Sequence, residues 1–143
     1  MAAASYAPVI LATDATVSTV INNSGPVILT GTDTLTVTAT GALQDSATSA
    51  VYVNSSATGA VITNSGSIVT TGSNNAIFVN AAATGTVINN QAGGVISALD
   101  NNYSAIYFSG DLDASLTNNG SILSTGETYA AGLYVGGDLI PAR

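Results

Sequence analysis

The side chains able to do chemistry in this 143-residue chain are almost all carboxylates. There are seven Asp and one Glu, no His, no Cys, no Lys, and a single Arg at position 143. Asp111 and Asp138 fall at the same place in two similar segments, Phe108-Ser-Gly-Asp-Leu112 and Val135-Gly-Gly-Asp-Leu139, and Asp113 stands two residues beyond Asp111. Carboxylates brought side by side repel unless a cation or a proton lies between them. Calcium, which takes oxygen ligands, is the ion such a set would hold, and a carboxylate pair is also the machinery of glycoside hydrolysis. The Gly-Asp nonapeptide iteration of calcium-loaded β-rolls is absent, and Asp111 and Asp113 share one strand face with no evident partner. The expectation is therefore solvated loop carboxylates: no catalytic residue, no bound metal and no cofactor.

The missing residue types exclude more. Without His or Cys there is no Ser-His-Asp triad, no Cys nucleophile, no ordinary zinc site and no disulfide framework. Without Lys there is no P-loop. A formal net charge of −7 with one basic residue leaves nothing to neutralise a phosphate backbone, so no nucleic-acid partner is expected. Only 6% of residues are charged, and Ser, Thr and Asn, about a third of the chain, supply the polarity instead. Mean hydropathy is +0.43, yet no run approaches the length of a membrane-spanning helix. Residues 1–12 lack a basic stretch and read as a mature N-terminus, not an intact signal peptide. An acidic, Cys-free, Ser/Thr/Asn-rich chain fits an extracellular or bacterial cell-surface protein.

What must position these residues is a repeat. One block recurs as Val20-Ile-Asn-Asn-Ser-Gly25, Val61-Ile-Thr-Asn-Ser-Gly66, Val87-Ile-Asn-Asn90 and Ser115-Leu-Thr-Asn-Asn-Gly120. A second recurs as Ala50-Val-Tyr-Val53, Ala76-Ile-Phe-Val79, Ala105-Ile-Tyr-Phe108 and Gly132-Leu-Tyr-Val135. The second block steps by 26, 29 and 27 residues, and the first, from Asn64 to Asn90 to Asn118, by 26 and 28. Each unit holds short β-branched runs separated by Gly, Asn and Ser turns, with no helical apolar period. Such a unit cannot bury its apolar side chains alone, whereas a stack of units buries them in one column. The chain is expected to be all-β: a parallel β-helix, or β-solenoid, of about four coils of 26–29 residues. One domain spans residues 1–143, with a lead-in at 1–15, an irregular first coil at 16–49, regular coils at 50–137 and a truncated or interface end at 138–143.

Alternation along a strand assigns the faces. Val51, Val53, Ile77, Val79, Ile106, Phe108, Leu133 and Val135 point inward, as do Ile21, Ile62, Ile88 and Leu116. The aromatic residues between them, Tyr52, Phe78, Tyr107 and Tyr134, then form an outward stripe, a candidate binding surface. Asn23, Asn64, Asn90 and Asn118 are expected to stack at a turn as a structural amide ladder, with following glycines supplying positive φ. Between residues 30 and 40 Thr recurs at every second position, so one strand is expected to carry a Thr face. That face is similar to the Thr arrays of ice-binding solenoids, but Val69-Thr-Thr-Gly72 does not continue it.

The iterated Ile-x-Asn-x-Gly-x-Ile of Ile62-Thr-Asn-Ser-Gly-Ser-Ile68, with strands such as Ala76-Ile-Phe-Val79, resembles the passenger domains of bacterial autotransporters and related adhesins over about residues 16–137. The resemblance implies a right-handed parallel β-helix, secretion, and a part in adhesion or aggregation. The chain is shorter than such passengers and holds no membrane-barrel segment. Polysaccharide lyases share the architecture, but they rely on basic residues, and the one here is terminal.

The expected function is that of a non-catalytic exported scaffold or adhesin segment. It would associate with its own copies by end-to-end stacking at open coil ends, into oligomers or fibres. The alternative is a glycan- or protein-binding module that uses the aromatic stripe.

Overall fold

The computed structural model describes residues 13–99, 102–110, 113–127 and 130–138. Short runs of Val, Ile, Leu and Thr, each closed by Gly, Asn or Ser, give fifteen strands and no helix among these residues. They come in threes: β1 (Ala15–Val17), β2 (Val20–Asn23) and β3 (Val27–Gly31), then β4 (Thr34–Val37), β5 (Ala42–Asp45) and β6 (Val51–Ala57). The next are β7 (Val61–Asn64), β8 (Ser67–Thr70) and β9 (Ile77–Val79), then β10 (Thr86–Asn90), β11 (Val95–Ala98) and β12 (Ile106–Phe108). The last are β13 (Ala114–Asn118), β14 (Ser121–Ser124) and β15 (Leu133–Val135).

Every third strand returns to the same sheet. The first face is β1-β4-β7-β10-β13, the second β2-β5-β8-β11-β14 and the third β3-β6-β9-β12-β15, all paired in parallel. Four circuits thus separate β1 from β13. On the first face the step between register partners is 20, then 27, 26 and 28 residues. On the second it is 22, 25, 28 and 26, and on the third 24, 26, 29 and 27.

The lowest circuit is therefore shorter than the rest, and the difference lies in the corners. Two residues separate β3 from β4, whereas six separate β9 from β10. This corrects the expectation of one irregular coil over residues 16–49, which instead carry β1 to β5 in regular order. The single Thr face is corrected with it. β3 stops at Gly31, whose φ of +48° turns the chain, and β4 begins at Thr34, so Thr30 and Thr34 lie on different faces. Asp33 fastens that corner by accepting hydrogen bonds from the Thr30 amide (2.8 Å) and hydroxyl (3.0 Å) through Oδ2.

One core runs through the stack. Leu35, Ile62 and Ile88 from the first face meet Leu43, Ile68 and Ile96 from the second and Val51, Ile77 and Ile106 from the third, all essentially inaccessible to solvent. Each such Leu or Ile contributes about 1.5–3 kcal/mol by leaving water. Because the pairing is in register, like sits on like, and the column is continuous.

The two ends of that column differ. In the lowest circuit Val17, Val27 and Leu29 are buried, while Ile21, expected inward, is half-buried beside the exposed Val20. In the uppermost circuit Leu116, Ile122 and Val135 are only half-buried, and Leu133, expected inward, is 40% exposed. It keeps its register with Ile106, but β15 is an edge strand and no strand among the described residues covers it.

Candidate functional site

The outward positions of the third face form the stripe. Tyr52, Phe78, Tyr107 and Tyr134 are consecutive register partners on β6, β9, β12 and β15, and each ring centroid lies 5.4 Å from the next. The interplanar angles are 17°, 63° and 39°, so only the Tyr52–Phe78 pair is face-to-face and the upper rings tilt apart. Below Tyr52 the column continues as Ile28 on β3. The Tyr52 hydroxyl accepts a hydrogen bond from Asn80 Nδ2 at 3.1 Å. Exposure rises up the stack: Tyr52, Phe78 and Tyr107 are half-buried and Tyr134 is 48% exposed.

Beside the three upper rings lies a groove of about 400 Å³. Phe78, Tyr107 and Tyr134 form one wall. The other comes from two corners between the second and third faces: Asn74 and Asn75 just before β9, and Asn102 and Tyr103 before β12. These four residues are not among the sequence-derived candidates. Their signal is the amide-rich Asn74-Asn75 and Asn101-Asn102 that precede Ala76-Ile77 and Ala105-Ile106. Asn74 Nδ2 donates to the Ala47 carbonyl at 3.2 Å, pinning its corner to the circuit below. Asn75 is only 7% exposed and sits in a column between two other buried polar residues, Ser49 and Ser104.

The amide ladder forms, over three of its four expected members. Asn64 Nδ2 donates to Asn90 Oδ1 (2.8 Å) and to the Val95 carbonyl (3.0 Å). Asn90 Nδ2 in turn reaches Asn118 Oδ1 (2.8 Å), the Ser121 carbonyl (3.1 Å) and the Gly94 carbonyl (3.2 Å). Gly41, Gly66, Gly94 and Gly120 run alongside as a column. Their role is close approach and not positive φ, which corrects the expectation. A Cβ at Gly94 would collide with Asn90 Oδ1 and the Asn64 carbonyl, and one at Gly120 with the Gly94 and Gln91 carbonyls. Neither has a φ in the left-handed region, though Gly93 does, at +84°.

Asn23 does not belong to the ladder. It lies on the second face, in register with Asp45 and Thr70, because Val27 to Leu29 must supply the third face and the first is supplied by β1. Asn23 and Asp45 are 4% and 2% exposed. Asp45 Oδ1 accepts from the amides of Ala47 and Thr48, while Asp45 Oδ2 and Asn23 Nδ2 have no hydrogen-bond partner among the described residues. A hollow of about 120 Å³ adjoins them, lined also by Asn22, Gln44, Ser46 and Thr71.

Of the candidate calcium carboxylates, Asp113 and Asp138 are exposed, and Asp111, like Arg143, lies outside the described residues. Among the described residues no group of three or more His, Cys, Asp or Glu is placed to hold a metal. Asp33 has a shifted pKa. The hydrogen bond from the Thr30 amide does most to hold it below its ordinary value; burial opposes this, and the Thr30 hydroxyl and Thr13 amide add smaller lowering effects.

Three parallel sheets with in-register columns around a single core define a β-solenoid, the parallel β-helix class. No protein-family model matches the chain, and neither a curated protein nor a solved structure matches it. No helix among the described residues is long and apolar enough to cross a membrane.

Proposed function

We propose that the chain is a non-catalytic scaffold of adhesin type, exported to the bacterial surface in the manner of autotransporter passengers, and that it associates with its own copies through the open face of its uppermost circuit. The observation that carries this is the half-exposed set Leu116, Ile122, Leu133 and Val135 at positions whose partners one circuit below, Ile88, Ile96, Ile106 and Phe108, are buried. The same face offers the edges of β13, β14 and β15, unpaired among the described residues, which template strand pairing. None of these four positions is charged, and the net charge of −7 is the repulsion that association has to overcome.

The opposite end is less open: Val17, Val27 and Leu29 are buried there, although Val20 is 59% exposed and Ile21 half-buried. Like faces therefore meet, and a two-fold pair closes before a fibre grows. Light scattering across a concentration series tests this, with negative-stain electron microscopy for longer assemblies. A concentration-dependent dimer that Leu133→Asp converts to monomer supports the reading. A monomer at every concentration overturns it.

A further inference from the structure

We propose that the groove beside Phe78, Tyr107 and Tyr134 is a binding site for a neutral oligosaccharide. Sugar rings present one apolar face of C–H groups and an equatorial rim of hydroxyls, and they bind where aromatic rings stand beside amides. The groove has that composition: three stripe rings and Tyr103 against the side chains of Asn74, Asn75 and Asn102. The 5.4 Å step between rings is close to the length of one pyranose unit, so successive circuits meet successive sugars.

Asn75 supplies the second observation. Its side chain is more than nine-tenths buried and lines the groove, and no hydrogen bond among the described residues engages its amide. Its polar atoms are not among those sealed from solvent without a partner, so the amide opens onto the groove although the rest of the side chain is buried. A sugar hydroxyl, both donor and acceptor, pairs with it. The stacked polar residues Ser49 and Ser104 are too short to make the same reach, so the amide is special to this circuit.

Charge narrows the ligand further. No charged side chain lines the groove, and the chain carries −7 overall. Uronic acids, sialic acids and phosphorylated sugars are therefore repelled, and an uncharged glycan is the occupant. The site lies on the side of the stack and reaches the rim of the open coil face only at Tyr134 on β15, so Asn75, two circuits below, separates it from self-association.

Calorimetric titration with cellohexaose and chitohexaose, with a galacturonic acid hexamer as the charged comparison, tests the assignment. At least one neutral hexamer binds and the galacturonate does not. Tyr134→Ala removes an exposed ring, and Asn75→Ser extends the serine column while removing the amide. Each weakens binding about tenfold with an unchanged melting temperature. The proposal is overturned if neither neutral hexamer binds the folded protein, if the galacturonate binds as well as they do, or if both variants bind like the parent. It is overturned equally if the two variants abolish dimerisation in light scattering, because the groove's occupant is then a second copy.

Discussion

Asn64 and Asn90 stand one circuit apart, and the amide Nδ2 of the lower donates to Oδ1 of the upper at 2.8 Å. The bond points along the axis of the stack, and Asn90 repeats it onto Asn118. The ladder therefore has a polarity: every inner member accepts from below and donates upward. Its ends are unequal. Asn118 is exposed and its oxygen also takes the Gly120 amide, whereas Asn64 is fully buried and its Oδ1 has no donor.

That inequality sets the cost of breaking the ladder. Asn90→Ala removes an acceptor for Asn64 and three donated bonds within a buried corner, so it is expected to cost about 3 kcal/mol. Asn118→Ala, at the exposed end, is expected to cost less than about 1 kcal/mol. Urea unfolding of the two variants checks the order. Equal losses would mean that the corner backbone, and not the amide chain, holds the circuits.

The orphaned Asn64 oxygen makes a second expectation. Its register partner below is Val37, a buried residue that offers no donor. Val37→Asn places an amide where the ladder would continue, and its Nδ2 can donate to Asn64 Oδ1. Val37→Asp sets a carboxylate against an acceptor instead. The asparagine variant is expected to be the more stable by at least about 2 kcal/mol, read from urea midpoints. Equal stability would show that the oxygen is satisfied by other means.

Acid should weaken the lowest circuit through Asp33. Its folded pKa lies below the ordinary value, so the folded state binds fewer protons than the unfolded one in between. The contribution is thus complete above the ordinary carboxylate pKa, about 3.9, and is lost as pH falls through the depressed folded value. Asp33→Asn is expected to lower the melting temperature most at neutral pH and to converge with the parent in acid, which flattens the acid limb of the profile. An unchanged acid limb would remove Asp33 from the account.

The upper circuits were legible in the sequence because their chemistry is periodic. Val51, Ile77 and Ile106 recur at nearly constant steps, and the aromatic between each pair of inward residues fixes the third face. Residues 15–49 were not, because a two-residue corner at Thr32-Asp33 leaves no long break between β3 and β4, and alternating Thr runs straight across it. Asn23 shows the limit of motif reading. The letters of residues 20–25 nearly match those of 61–66, yet they occupy a different face, since the neighbouring strands and not the motif decide which corner it turns. The groove was hidden for a related reason. Asn75 and Asn102 stand in corners of six and seven residues that do not repeat, and only the folded stack brings them beside Tyr107 and Tyr134.

The in-register pairing has a consequence for how this molecule stores its stability. Extensive strand contacts run only between adjacent circuits of the same face. Free energy is then close to additive along one dimension, a sum over circuits and the junctions between them. Ile88 would meet Leu35 as readily as it meets Ile62, since each column presents the same kind of side chain at every level. Length is thus a free variable of the design: a circuit can be excised or duplicated as a module, and what shifts is the height of the groove above the base, counted in whole turns.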